Sequence, residues 1–538
     1  MKKYLPTIIF ILILVVIIFY DSFRWGFIWS FFLLDFVPTP MYVYDTNFLQ
    51  LSIFQNIYNF LVYIFGYVFI SNFYIYGIVW LTIYTWCSLW CYFVQKFDVI
   101  DDFQKNIIYI ASISILIINP FFAQRMLTQP WVWSGILLLW IWRYILLKKF
   151  DYEISRKDII YVWLLWWFSA NLMNHALFMI ILLATAYILA TKFKKILQVI
   201  YIGIIVWLLN INWIIWWFLW KNEIIQWATT FSQDNIKVFA TQTVGKLPIE
   251  LSTALGYGFW AEKWQRLKLV QNANPLWYIF GLGILSIWIL GIYLEARNKK
   301  SQNISIIYMC IWLLVITLWL WIGISNNIWS DAIQRIYEHI PGYRGLREPH
   351  KWIWVYIIIL IPFVINWFVY ITRKIDPILV LSLFIFLLYG RSPGIINMSG
   401  LYKLTDYPAD YQNSRSYILS KYPDYKFVLL PWHSYMSCNW TSNVISITAR
   451  DFYLPSTVKV ADNIEIGSLY TNNNNPLSTK IEKYINNWQD NNIIKTLWYD
   501  GFIMRKWCSN TWSFWRVNDK SKFENIYSWN DVGIYIVK

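Results

Sequence analysis

The stretch Pro341-Gly-Tyr-Arg-Gly-Leu-Arg-Glu-Pro-His-Lys351 stands directly before the apolar run 352–372, which is long enough to span a membrane. At the end of this span the stretch contains two Arg, a Lys, a His and a carboxylate. Such charged and polar side chains do not pack well in an apolar core. Because Arg offers two parallel N–H groups to a phosphate, the loop is suited to holding an anionic headgroup. The candidate substrate-binding residues of this loop are Arg344, Arg347, Glu348, His350 and Lys351.

The composition predicts a multispan membrane protein. Of the 538 residues, 58% are hydrophobic and 14% are charged, whereas about 25% are charged in soluble domains. Apolar runs near the ~20 residues that cross hydrocarbon recur from residue 4 to residue 390. From Gly390 onward the sequence turns polar and rich in Asn and Tyr. We therefore predict a polytopic α-helical membrane domain at 1–390 and a soluble mixed α/β domain at 391–538.

The net charge of +15 lies largely in short loops between the apolar runs, where basic residues mark the cytoplasmic side. From this placement we expect contact with anionic membrane lipids, and we do not expect nucleic-acid binding. The basic linkers assigned to the cytoplasm with Lys2-Lys3 are 148–157, 192–195, 297–300 and 373–374. The segments that then face outward are 21–52, 120–130, 218–276, 324–351 and 391–538.

The linkers predict about eleven spans, with a cytoplasmic N terminus in the plasma membrane. The run 4–20 is a retained anchor because no small-residue cleavage site follows it. Region 53–94 is ambiguous: its length fits one or two spans, but the linkers require one net crossing. We predict an interfacial helix at 48–60 followed by one span. The other predicted spans are 107–119, 131–147, 159–172, 175–191, 196–217, 277–294, 304–323, 352–372 and 376–390.

The first outward segment carries two candidate bases. Asp35 precedes Pro38-Thr-Pro40, whose prolines stiffen the backbone at the bilayer surface. A carboxylate partly buried there can have a raised pKa and accept the proton of an acceptor hydroxyl. Asp45 is the second candidate, although Thr46 and Asn47 beside it also fit a helix cap.

Two further outward segments carry candidate substrate contacts. Arg125 follows Asn119-Pro-Phe-Phe and fits a phosphate contact, although snorkelling toward lipid gives the same pattern. Tyr257 and Trp260, in the Gly-aromatic run 256–263, fit a platform on which a sugar ring stacks, and an interfacial aromatic belt is the alternative. No zinc-ligand spacing, Gly-rich phosphate loop or Gly-x-Ser-x-Gly elbow is present in the sequence.

Short patterns in the tail predict its elements. Strands are expected at Phe427–Leu430, 444–447, 457–460 and 534–537, and an amphipathic helix at 480–488. Cys438 and Cys508 can pair if the tail lies outside the cell, but their spacing does not require it.

Tryptophan outnumbers glycine in this chain, with 37 Trp and 20 Gly. Small residues normally let membrane helices approach closely, so the inversion has no structural explanation. One hypothesis is that some of these tryptophans are glycines encoded by UGA in an organism that reads UGA as Gly.

Several motifs occur in one order along the chain: Asp35, Asn119-Pro-Phe with Arg125, Gly258-Phe-Trp260, Leu346–Lys351, Tyr407-Pro408 and Leu430-Pro-Trp-His433. In this the chain resembles the YfhO-like, GT-C-type multispan glycosyltransferase superfamily over most of its length. The resemblance implies transfer of a sugar, a hexose by expectation, from a polyprenyl-phosphate donor at the outer membrane face. It makes Asp35 the acceptor-side base or a metal contact, and Arg125, Arg347 and Lys351 the donor-phosphate contacts. The first loop lacks the paired Asp-Glu of better-known members, which leaves a divalent metal open.

Three functions follow as alternatives. The first is an inverting glycosyltransferase that acts on a cell-envelope acceptor, which needs a base, a phosphate clamp and exclusion of water. The second is a transporter or flippase for lipid-linked glycans, which would place ionisable groups near the middle of its spans. The third is a non-catalytic envelope protein that binds glycan.

Overall fold

The computed structural model describes part of the chain, and the chain forms two compact units. The first unit comprises Met1–Phe23, Tyr76–Ile215 and Gln233–Gly400, and the second comprises Arg24–Ile75, Trp216–Ser232 and Leu401–Lys538. The described residues are 5–18, 60–61, 64–65, 101–119, 197, 200, 204, 208, 241–243, 247, 249–255, 276–297, 335, 353–392, 407–433, 435–441, 446–447, 453, 457–461, 464–466, 469–471, 476–487, 495–508 and 521–538.

The described part of the first unit is helical. Its helices are α1 (Leu5–Ile18), α2 (Asp102–Ile117), α3 (Ile249–Ala254), α4 (Leu276–Arg297), α5 (Ile353–Ile371) and α6 (Pro377–Arg391). Side-chain caps start two of them, since the Asp101 carboxylate accepts the Gln104 N–H at 2.7 Å and Asp376 accepts the N–H groups of Ile378 and Leu379. Pro377 lies at the first position of α6, where its missing N–H is not needed.

These helices have the apolar character of membrane segments. Within α4, the stretch Trp277–Leu294 is long and apolar enough to cross a membrane, and Leu5–Ile17 and Pro377–Arg391 are shorter apolar helices. Helix α5 has 19 residues without a single Asp, Glu, Lys or Arg. On α6 the outward faces are apolar too, since Leu379 and Leu383 are exposed. Helices that are apolar all round occur as membrane spans or in the core of a large protein.

Three hydrogen bonds between helices show the direction in which each runs. Thr7 donates to the Asn106 side chain at 2.7 Å, so α1 and α2 begin at the same end of the unit. Gln104 donates to the Thr372 carbonyl at 3.3 Å, which places the turn between α5 and α6 at that end as well. Trp277 donates to the Arg391 carbonyl at 2.9 Å, so α4 begins where α6 ends.

Helices α1, α2 and α6 therefore run one way, and α4 and α5 run the other way. This is the relation that the predicted topology requires, because in that topology 4–20, 107–119 and 376–390 run outward and 277–294 and 352–372 run inward. The common direction of α1 and α2 also agrees with one net crossing between them. Which end faces the cytoplasm stays a prediction.

Close helix contacts in this unit rely on small residues. A Cβ on Gly291 of α4 would lie 2.0 Å from the Phe363 carbonyl oxygen of α5, so the two backbones touch there. A Cβ on Gly390 of α6 would lie 2.4 Å from the Phe280 ring of α4. Glycine at these positions lets the helices pack at short range.

The described part of the second unit is an α/β domain built on a five-stranded sheet. Its strands are β1 (Phe427–Leu430), β4 (Val458–Lys459), β7 (Gly501–Arg505), β8 (Phe523–Ser528) and β9 (Val532–Val537). They have the order β4-β1-β7-β9-β8, in which β4, β1 and β7 are mutually parallel and β9 and β8 are antiparallel to their neighbours. The two-stranded pairs are β2 (Tyr435–Met436) with β3 (Ser446–Ile447), and β5 (Ile464–Ile466) with β6 (Leu469–Thr471).

Helices cover both faces of the sheet. Helix α8 (Pro476–Asn487) packs Ile481 and Tyr484 against one face, where Val428 and Leu430 of β1 point. Helix α7 (Ala409–Lys421) packs on the other face, and the residues of that core are Tyr411, Ile418, Phe427, Leu429, Ile503 and Ile534. Strand β1 is buried on both sides, as expected of a parallel strand between two layers.

The structure contains a disulfide between the two cysteines whose pairing the sequence did not decide. Cys438 and Cys508 are joined by a disulfide across 70 residues of sequence. The bond links the segment after β2 to the turn after β7, and Met436 packs beside it.

Candidate functional site

Helix ends of the first unit meet at one end of the helical bundle. Trp277 and Arg391 are in contact there, and Leu255, directly after α3, lies 2.9 Å from where a Cβ on Gly281 would be. Because α2 and α5 run in the directions given above, α2 ends and α5 begins at this same end. We call it the loop end and define it by Asn119, Leu255, Trp277, Ile353 and Arg391.

The loop end is where the predicted polar loops attach. Asn119 is followed by the loop that contains Arg125, and Leu255 is followed by the run that contains Tyr257 and Trp260. Ile353 comes two residues after Lys351, the last residue of the Arg-rich loop. Three segments far apart in the sequence are thus anchored at one end of the bundle.

The predicted site residues themselves lie outside the described residues, so their mutual positions stay predictions. These residues are Asp35, Asp45, Arg125, Tyr257, Trp260, Arg344, Arg347, Glu348, His350 and Lys351. The structure gives the anchors of three of the loops that carry them.

Arg391 is a loop-end residue outside the set predicted from the sequence. Its side chain is 1% exposed, and the neighbouring Ser392 is buried as well. Its carbonyl oxygen accepts the indole N–H of Trp277. A cation is favoured at a helix C terminus, because the last backbone carbonyls of the helix point toward it. The only sequence signal was a basic residue that closes an apolar run.

The Asp, Glu, Lys, Arg and His residues of the described membrane helices lie near the helix ends. Helices α1 and α5 contain none. In α2 they are Asp102 and Lys105 in the first turns, and in α4 and α6 they are Glu295, Arg297 and Arg391 in the last turn. At the end opposite the loop end, the exposed Asp102 carboxylate lies 3.9 Å from the half-buried Lys105 ammonium.

The second unit has its own cation at the position where open α/β sheets bind ligands, the carboxyl ends of parallel strands. Arg505 is the last residue of β7, is 2% exposed, and donates to the Pro431 carbonyl at 3.0 Å. The Leu430 and His433 carbonyls lie within 3.4 and 3.5 Å of the guanidinium. Burial lowers the pKa of Arg505. These carbonyls hold the guanidinium against the turn after β1, which is a structural role.

Tyrosines around Arg505 form a packed polar layer. Ser414 and the Tyr453 hydroxyl are 2.8 Å apart, and both side chains are buried. Burial raises the pKa of Tyr411 to about 12 and also raises the pKa of Tyr453. Both phenols are therefore neutral at physiological pH and serve as packing and hydrogen-bonding groups. Among the residues that the structure describes, no cluster of three His, Cys, Asp or Glu has the arrangement of a metal site.

Comparison with known proteins finds a likeness in structure alone. No family model matches the sequence, and no curated protein matches it. Among solved structures, the chain is similar to the arabinofuranosyltransferase AftD from Mycobacteria, with a TM-score of 0.53 and 10% sequence identity. The match covers 97% of this chain and 37% of AftD, so this chain spans just over a third of the length of that protein.

At this identity the likeness shows the fold. It supports the predicted GT-C-like fold. The YfhO-like subgroup, the number of spans and the sidedness of the tail stay predictions.

Proposed function

We propose that this chain is a membrane glycosyltransferase that moves a sugar from a polyprenyl-phosphate donor to a cell-envelope acceptor at the outer membrane face. The observation that carries the proposal is the fold likeness to arabinofuranosyltransferase AftD over 97% of the chain. The anchors of three predicted polar loops, which lie at one end of the helical bundle, also support the proposal.

In the proposed reaction, Asp35 accepts the proton of the acceptor hydroxyl. The acceptor oxygen forms a bond to the anomeric carbon, while the bond from that carbon to the phosphate oxygen breaks with inversion. The polyprenyl phosphate leaves with the electron pair, and its negative charge is met by Arg125, Arg347 and Lys351. Such fixed charges stabilise a leaving phosphate without reorganisation during the reaction.

The remaining predicted residues complete the site. Arg344, Glu348 and His350 belong to the same loop as the phosphate contacts, and Tyr257 and Trp260 offer rings on which the sugar stacks. To these we add Arg391, because it is a buried cation at the end where the loops attach. Asp45 is the second choice for the base.

A lipid-linked glycan transporter is the second candidate, and the described helices weigh against it. A transporter places ionisable groups near the bilayer midplane, often at broken helices. In the described membrane helices, those groups lie in the first or last turns. A non-catalytic glycan-binding protein is the third candidate and differs from the first only in the absence of turnover.

The proposal is tested with the full chain in proteoliposomes supplied with polyprenyl-phosphate-linked hexoses and polyprenyl-phosphate-linked arabinofuranose. We expect transfer from one of these donors to a cell-envelope extract that contains glycan acceptors. The Asp35→Asn variant should insert normally and lose about 10²–10⁴-fold in rate, as expected for a positioned base. Asp101→Asn is the matched control, because Asn also serves as a helix cap and the α2 cap lies away from the loop end.

Two results would contradict the proposal in different ways. Near-normal transfer by Asp35→Asn would exclude Asp35 as the base and move the assignment to Asp45. Movement of intact donor across the bilayer, without transfer from any donor, would instead identify a transporter.

A further inference from the structure

Two tryptophans of the second unit have a backbone conformation that favours glycine. Their φ angles are 65° at Trp498 and 56° at Trp507, and they are the non-glycine residues with positive φ in the part of the chain that the structure describes. In this left-handed region the Cβ of an L residue crowds the following carbonyl oxygen, and glycine avoids the clash because it has no Cβ.

Trp498 lies where a helical turn ends. Residues 495 and 496 are helical, and the Trp498 N–H donates to the Lys495 carbonyl at 3.0 Å. At many helix ends a bond of this spacing runs from the N–H of the left-handed residue that follows the helix, and that residue is usually Gly. Trp498 occupies this position. The Trp498 side chain is 80% exposed. An indole therefore gains little from packing there.

Trp507 lies in the tight turn between β7 and Cys508. Its carbonyl accepts the Asn439 N–H at 3.1 Å, so the backbone of this turn is held in place. Its side chain is 62% exposed, and its indole donates one surface hydrogen bond to the Asn530 carbonyl at 2.8 Å. The turn needs this backbone conformation, whereas the core does not need the side chain.

Other tryptophans have the opposite character. Trp277 is 2% exposed and donates to the Arg391 carbonyl, and Trp432 is 6% exposed in the core under α8. Trp440 packs against Tyr407 and Tyr411 with ring centroids 5.2 and 5.8 Å apart. None of the three has a positive φ. Their side chains contribute contacts that glycine cannot make.

We infer that residues 498 and 507 are glycine in the cellular protein, inserted at UGA codons that the organism reads as Gly. Trp277, Trp432 and Trp440 are genuine tryptophans encoded by UGG. Two observations support this independently: the excess of Trp over Gly, 37 against 20, and the glycine-type backbone at two exposed tryptophans. The inference does not depend on the proposed function.

Whether UGA is read as Gly also bears on the identity of one residue of the proposed site. Trp260 follows a Gly-Tyr-Gly-Phe run, and it supports a sugar-stacking platform only if its codon is UGG. This consequence rests on the proposed function, whereas the inference about positions 498 and 507 does not.

The test is to read five codons in the gene and to sequence the matching peptides of the native protein by mass spectrometry. We expect UGA codons at 498 and 507. The peptides that contain these positions should be lighter than calculated for Trp by the mass difference between a Trp and a Gly residue. We expect UGG and unshifted peptides at 277, 432 and 440. UGG at both 498 and 507 would overturn the inference. UGA codons with tryptophan in the peptides would overturn it too, because UGA would then encode Trp.

A second measurement uses full-length protein made in a host that reads UGG as Trp. The Trp498→Gly and Trp507→Gly variants should unfold at a higher temperature than the chain with Trp at both positions. The control Trp432→Gly should unfold at a lower temperature, because it empties a buried site. Lower unfolding temperatures for both the 498 and the 507 variants would count against the inference.

Discussion

At the scale of single residues, burial is what distinguishes one arginine from another in the described membrane helices. Arg391 is buried at the loop end, whereas Arg373 is exposed in the turn between α5 and α6 at the opposite end. The two have the same chemistry and differ in surroundings. If Arg391 meets the donor phosphate, its planar fork matters there, and a compact ammonium cannot replace it.

We therefore predict that Arg391→Lys lowers the rate of sugar transfer and that Arg373→Lys leaves it unchanged. A hydrogen bond to a charged group contributes about 1.5–3 kcal/mol, so the loss should be roughly 10- to 100-fold. The measurement is kcat/KM for the lipid-linked donor, with detergent-extracted, monodisperse protein as evidence of folding. Equal rates for the two variants would show that Arg391 only caps α6.

At the scale of elements, the contact between α4 and α5 depends on one position. A Cβ on Gly291 would lie 2.0 Å from the Phe363 backbone oxygen, which cannot move aside. A Cβ on Gly283 would lie 3.1 Å from Leu387, whose flexible side chain can turn away. The two glycines lie on the same helix and differ in what they face.

Gly291→Ala should destabilise the membrane unit by about 1–3 kcal/mol, as overpacking typically does, while Gly283→Ala should be nearly neutral. The readout is the temperature at which each purified variant loses its monodisperse peak in size-exclusion chromatography. Equal unfolding temperatures for the two variants would mean that the α4–α5 contact tolerates a wider spacing.

Local sequence patterns were sufficient to predict some of the elements of the second unit. The strand Phe427–Leu430 is confirmed at its exact bounds, and the predicted 534–537 strand is confirmed within β9. The predicted helix at 480–488 is confirmed as α8, which starts earlier, at Pro476. These segments have strong apolar patterns.

Elements without such patterns escaped prediction. Strand β7 has the sequence Gly-Phe-Ile-Met-Arg, whose Gly and Arg do not favour a strand, and it forms because β1 and β9 pair with it on both sides. Helix α7 is polar overall and has no apolar period. Of the candidate site, sequence could nominate polar loops. It could not find Arg391, whose burial depends on packing between α4 and α6.

At the scale of the whole chain, the two units bear on topology in different ways. In the first unit, the opposite directions of α1, α2 and α6 against α4 and α5 match those deduced from basic linkers. Agreement arises because positive charge orients each span during insertion, and later packing keeps that order. The second unit adds the disulfide between Cys438 and Cys508. Structural disulfides persist in oxidising compartments and are rare in the cytoplasm.

Linkers and disulfide together predict that the second unit's 407–538 segment lies outside the cytoplasm. In intact cells, a membrane-impermeant maleimide should label Cys438 and Cys508 only after a reductant is added. The Cys438→Ser/Cys508→Ser double variant should show no such gain and, because a 70-residue loop is no longer closed, should lose up to ~4 kcal/mol of stability. Labelling that needs membrane permeabilisation, but no reductant, would place the tail in the cytoplasm. That result would contradict the topology deduced from the basic linkers, on which the proposed reaction at the outer face depends.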